Sequence, residues 1–156
     1  MIGNLTESQM NELLQKEIVG RIGCHTQEMV YVVPISYVYD GNNIYGHTYD
    51  GLKIKTMRKN PEVCFEVDDL RDMGNWLSVI AWGTFEEITD PQEKVRAMKL
   101  LLNRSLPVIS SSTTHLGNNW PFPDETDIID GILFKIVLGK KTGKFESSSE
   151  SPWFNG

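Results

Sequence analysis

The 156-residue chain is 40% hydrophobic and carries a formal charge of -6 at pH 7, which suits one ordinary domain over residues 1–156 with a sizeable core. The acidic balance argues against broad nucleic-acid binding, which needs a concentrated basic surface. No secretion pattern opens the sequence and no run approaches membrane-spanning length, so a cytoplasmic protein with neither membrane nor nucleic acid as partner is expected.

Near the start, Thr6-Glu7-Ser8-Gln9 fits a capping box, with Thr6 as the cap, Gln9 reaching back, and Leu5 and Met10 set as a hydrophobic staple. Met10, Leu13, Leu14 and Ile18 then follow helical spacing and predict a helix that covers a sheet. Strands are expected at 19–24 and 29–39. Pro34, inside the second, cannot donate a ladder hydrogen bond and predicts an edge, a bulge or a corner. The turn Asp40-Gly41-Asn42-Asn43 should return the chain as a strand at 44–47, closing a hairpin.

That strand ends in His47 and Thr48, passes Gly51 and enters a basic helix bearing Lys53, Lys55, Arg58 and Lys59. Pro61 stops the helix before a strand at 63–67. A polar loop is expected at 68–75, then a long strand at 76–88, bent or broken at Gly83. Asp90-Pro91-Gln92-Glu93 marks a second helix start, with Asp90 as cap, Glu93 completing the box, and Val95, Met98, Leu101 and Leu102 as the buried side. Residues 103–127 have no sustained periodicity and read as an irregular excursion, a pocket wall or an interface arm. A last core strand is expected at 128–138 with a bulge at Gly131, and 145–156 reads as a polar tail. Many short strands with a hairpin predict a mainly β fold: a closed barrel of about six strands with peripheral helices.

Chemistry concentrates where the short strand meets the basic helix. The first amides of a helix have no intrahelical partner and can hold an anion, and Lys53 lies just beyond Gly51 with His47 and Thr48 as further donors. A solvent-facing lysine and a packed histidine are the ordinary alternatives. Arg21 could approach the same point from the first strand or stand as an exposed strand arginine. Trp76, Trp82 and Phe85 could line an aromatic slot, closed by Trp120 and Trp153, or build a core or subunit interface. Cys24 and Cys64 are too few and too separated for a zinc set or disulfide framework and are expected as buried thiols. The three histidines match no metal pattern, and no six-position dinucleotide fingerprint, Walker loop or nucleophile elbow occurs.

In order along the chain, Gly20-Arg21-Ile22-Gly23-Cys24, Val33-Pro34-Ile35-Ser36-Tyr37-Val38, Ile44-Tyr45-Gly46-His47-Thr48, Gly51-Leu52-Lys53, Asn60-Pro61-Glu62-Val63, Val79-Ile80-Ala81-Trp82-Gly83 and Thr142-Gly143-Lys144 form a set. It resembles the pyridoxamine 5'-phosphate oxidase-like, FMN-binding split-barrel proteins, nearest their nitroimidazole-resistance branch. The resemblance covers residues 19–144, with 103–127 matching poorly.

It implies a homodimer that binds FMN at the subunit interface. His47 and Thr48 would lie beside the flavin, Lys53 at its phosphate, Val79, Ile80, Ala81 and Trp82 near the ring system, and Arg21 as a further phosphate contact. His47 is the candidate proton donor or substrate contact. The implied activity is transfer of electrons from a reduced nicotinamide donor to a small organic acceptor such as a nitro compound. Heme or deazaflavin binding on the same scaffold, and a non-catalytic flavin-dependent sensor or binding protein, are the alternatives. The terminal strand of a true pyridoxamine phosphate oxidase carries an arginine-containing substrate motif, whereas 128–138 and 151–156 contain no arginine, so vitamin B6 oxidation is not implied.

Overall fold

The computed structural model describes residues 1–104 and 131–148. Strand β1 (Ile2–Asn4) leads into helix α1 (Glu7–Lys16), whose start is the expected reciprocal box: Thr6 Oγ1 accepts from the Gln9 amide at 3.2 Å, and Gln9 Oε1 accepts from the Thr6 amide at 2.9 Å. Strands β2 (Val19–His25) and β3 (Val30–Ser36) follow, then β4 (Val38–Tyr39), β5 (Asn43–Thr48) and helix α2 (Leu52–Lys59). A long hairpin of β6 (Glu62–Asp72) and β7 (Asn75–Glu87) precedes helix α3 (Pro91–Leu102), and β8 (Ile132–Glu146) completes the described elements.

The mainly β expectation stands, but the six-stranded closed barrel does not. Eight strands share one sheet, whose hydrogen-bonded path β3-β2-β6-β7-β8-β5-β4 is open, with β1 added alongside β8. The reason lies at Tyr37, between the strands that form the two ends of the path. Its amide donates to the Ile18 carbonyl at 3.0 Å and its phenol to the Leu14 carbonyl at 2.7 Å, which ties the chain to α1 rather than to a closing ladder. Pro34 sits on β3, an edge strand, the edge placement being one of those its missing amide predicted.

Other boundaries moved too. The strand expected over 29–39 is split at Tyr37 into β3 and β4, and the polar loop expected at 68–75 is mostly strand, since β6 runs on to Asp72. The last strand reaches Glu146, beyond the expected end at 138. In α3, Asp90 caps the Glu93 amide at 2.9 Å, but the Glu93 carboxylate pairs with Lys135 rather than completing a box. The buried side of α3 is Ala97, Met98 and Leu101; Val95 is exposed. The expected excursion at 103–127 falls outside the described residues except at its first two positions.

One face of the sheet is the core. Ile22, Phe65, Val67, Val79 and Ile136 pack there with Leu13 and Leu14 of α1 and with Ile54 and Met57 of α2. Gly20 leaves room for this packing, because a Cβ there would stand 2.2 Å from the Phe65 ring. The opposite face is only partly polar. The register sets Val32, Gly23, Cys64 and Trp82 in one row across β3, β2, β6 and β7, with Val19, Val30 and Ile80 in rows beside it. Val30 and Val32 on this face are 81% and 64% exposed, far more than a buried strand residue. Among the described residues no helix is long and apolar enough to cross a membrane.

Candidate functional site

The corner after β5 is built as the residue types suggested. Asp40 Oδ1 accepts from the Asn42 and Asn43 amides at 2.9 and 2.8 Å, and Gly41 takes φ +99°, so the hairpin delivers β5 next to β8. β5 ends at His47 and Thr48, and Gly51 opens α2 without a side-chain cap. The first amides of α2 therefore have no partner within the helix or from a capping side chain. Thr56 is held inside α2 by donating to the Leu52 carbonyl at 2.8 Å, while Ile54 and Met57 anchor the helix to the core.

Lys53 is the second residue of α2 and is half-buried. It has no hydrogen-bond or ion-pair partner among the described residues. Burial lowers its pKa from the ordinary 10.5, with the neighbouring Cys24 thiol acting weakly the other way. The influence is mutual: burial and then Cys64 push the Cys24 thiol up, while Lys53 pulls it down. An amine kept partly from water without a counter-charge is set to receive an anion.

His47 is partly buried. Its ring meets that of Tyr49 edge-on, centroids 5.9 Å apart, and Gly131 lies against it. Gly131 has φ +97°, and a Cβ there would stand 2.8 Å from the Thr48 carbonyl oxygen and 2.9 Å from His47 Nε2. Thr48 Oγ1 donates to the Tyr49 carbonyl at 3.3 Å. Chain continuity keeps His47 and Thr48 within the same short corner as Lys53.

Arg21 is placed elsewhere. It lies on the outer face of β2 and is paired with Asp68 at 2.8 Å and Glu66 at 3.4 Å, and the bond to Asp68 chiefly raises its pKa. Two carboxylates already compensate its charge. Arg58 is likewise held, by Glu87 at 2.7 Å. Of the four β7 positions, Val79 and Ala81 are fully buried in the core, and only Ile80 and Trp82 present side chains outward. Trp76 donates its indole N–H to Glu146 at 3.0 Å, and Phe85 is in the core, so the expected aromatic slot reduces to Trp82. Trp120 and Trp153 lie outside the described residues. Cys24 is buried as expected, Cys64 only partly.

Sequence reasoning missed a groove of about 870 Å³ on the outer face. Gly23, Gly83 and Gly139 are among its lining residues, together with Val32, Cys64 and Trp82, and Cys24 lines its margin. Cys24 is also the thiol whose electrostatic influence reaches Lys53. Lys140 belongs to it through a β-bulge: Ala81 pairs with Lys141 and Gly83 with Leu138, so Gly139 and Lys140 together stand against Trp82. Lys140 Nζ lies 5.8 Å from the centre of the Trp82 ring. The aromatic run at 76–85 was the only advance signal. Among the described residues no group of three or more His, Cys, Asp or Glu could hold a metal ion.

Comparison with known proteins places this geometry in a family context. The family model described as pyridoxamine 5'-phosphate oxidase matches residues 6–121. An uncharacterised protein of Rhizobium meliloti is 32% identical over 137 residues, covering 85% of this chain and 87% of its own. The crystal structure of an FAD-binding protein of Mesorhizobium loti has a TM-score of 0.73 at 26% identity, over 94% of this chain and 99% of the other. A candidate 5-nitroimidazole antibiotic resistance protein of Bacteroides thetaiotaomicron has a TM-score of 0.68 at 18% identity, over 93% of this chain and 87% of the other, which speaks to the fold alone.

Proposed function

The chain belongs to the pyridoxamine 5'-phosphate oxidase family, and on that premise we propose that it binds FMN and passes electrons from a reduced nicotinamide to a small organic acceptor, with nitro compounds the leading class. The observation that carries the cofactor reading is Lys53: a half-buried, uncommitted amine at the capless start of α2, electrostatically coupled to Cys24, which also lines a groove large enough for a planar ring. A phosphate suits the amine and the free helix amides, and the glycines lining the groove let a flat ring approach the backbone closely.

Bound flavin supplies the redox chemistry itself, taking up a hydride equivalent and releasing electrons to the acceptor. The protein's part is to hold and orient. Lys53 and the first α2 amides fix the phosphate, Thr48 and His47 border it, and His47 is the side chain best suited to hold a proton near neutral pH. Ile80 and Trp82 offer apolar surface on the outer face, whereas Arg21, already paired with Asp68, contributes by ordering β2 against β6.

The exposed apolar face gives the second element of the proposal, a homodimer. Val19, Val30, Val32 and Ile80 lie on one face of neighbouring strands, and a second copy laid over them would turn the groove into a cleft between subunits that limits access of water. The Mesorhizobium relative is described as FAD-binding, and 870 Å³ leaves room for the larger flavin, so FAD is the second cofactor reading. Mass spectrometry of the ligand released on denaturation separates FMN from FAD. A Soret band in the visible spectrum would instead support heme. Stopped-flow reduction by reduced nicotinamide, followed by reoxidation with nitroaromatic acceptors, tests the activity; flavin that cycles no faster with any acceptor would favour the sensor reading.

A further inference from the structure

The Trp82 end of the groove holds a cation, Lys140, that the flavin reading does not use. Trp82 is 44% exposed, although it sits in a central strand of the sheet. Its indole forms an apolar wall, with the Cys64 side chain beside it across the β6–β7 ladder and Leu138 nearby on β8. Above it stands Lys140, which the bulge sets against the indole rather than in the regular β8 alternation. Lys140 has no hydrogen bond or ion pair among the described residues; its ammonium faces the indole ring. Glu62 is the one carboxylate among the groove residues, and it pairs in register with Thr84, one outward row away from Trp82.

An aromatic wall with an uncompensated cation at its edge suits a ligand that is flat, apolar over most of its area and negatively charged at its rim. We propose that the Trp82–Lys140 end of the groove is a binding subsite for a planar aromatic anion, its ring against the indole and its charged group at the Lys140 ammonium. Resting on the flavin reading, this names the acceptor class: a monocyclic aromatic acid that carries the reducible group. Trp82 stands at the opposite end of the Val32–Gly23–Cys64–Trp82 row from Val32, and Lys53 lies on α2, outside that row.

Calorimetric titration of the purified protein, with whatever cofactor it retains, compares 4-nitrobenzoate with 4-nitrobenzylammonium, which keeps the nitrophenyl ring and reverses the charge. The benzoate is expected to bind about tenfold more tightly, as a charge-assisted contact implies. Lys140→Met should bring the two probes level, Lys140→Arg should keep the preference, and Glu62→Gln should leave it in place. Trp82→Leu should weaken both. Equal binding of the two probes, a preference that survives Lys140→Met, or benzoate binding that appears only after the cofactor is stripped would overturn the subsite. The visible spectrum of the same sample reports on the flavin reading alone, so the two failures are distinguishable.

Discussion

At the scale of single residues, Lys53 carries the most weight because its environment is costly without a ligand. Burial disfavours its charged form, so the unfolded chain holds the proton more tightly than the folded one between the lowered value and the ordinary 10.5. Stability of the ligand-free protein should therefore rise with pH through that window, and Lys53→Met should remove the rise in thermal melts taken across the alkaline range. Affinity for a flavin phosphate should move the opposite way. It should fall as pH rises through the lowered value, and Lys53→Met should weaken FMN binding by about tenfold or more at neutral pH with the circular dichroism spectrum unchanged. Gly131 makes a second residue-scale prediction. Its positive φ and its contact with the Thr48 carbonyl leave no room for a side chain, so Gly131→Ala should destabilise the protein by about 1–3 kcal/mol in denaturant titration, with His47 displaced.

At the scale of elements, local rules were legible and long-range pairings were not. The α1 box was readable because its four residues satisfy one another; Thr6→Ala should cost about 1 kcal/mol in denaturant unfolding, and no measurable loss would show that the box is redundant. Strand β1 gave no signal of its own, since Ile2, Gly3 and Asn4 gain strand structure only by pairing with Glu146, Phe145 and Lys144. The same holds for the far end of β6. Asp68, Asp69 and Asp72 look like loop residues, yet the ladder to β7 holds them extended, and Asp69 meets Lys16 of α1 at 2.7 Å. On α3 the expected burial of Met98 and Leu101 holds, whereas Val95 faces out and Ala97, too small to signal a core position, fits against β5 and β8. Within the site, the corner from His47 to Lys53 was readable because it is continuous in sequence. The groove was not, since Trp82 and Lys140 meet only through the β8 bulge.

At the scale of the whole molecule, the open sheet has one face filled by its own core and helices and one face that no described element covers. The second-copy proposal predicts self-association. Sedimentation velocity should show a dimer, and Val32→Asp, which sets a charge at the middle of the apolar face, should shift it to monomer without loss of secondary structure. A monomer at all concentrations for the unaltered protein would contradict that part of the account. The vitamin B6 chemistry carried by the family's name is a separate matter from its scaffold, since a fold hosts many reactions. The central claim is that a flavin phosphate sits at Lys53, and the most direct test is the visible absorption spectrum of the purified protein beside that of Lys53→Met, with the released ligand identified by mass. The account predicts the paired flavin bands and FMN in the unaltered protein and their loss or strong reduction in the variant; a heme spectrum, a protein that refuses added FMN, or equal flavin content in both would contradict it.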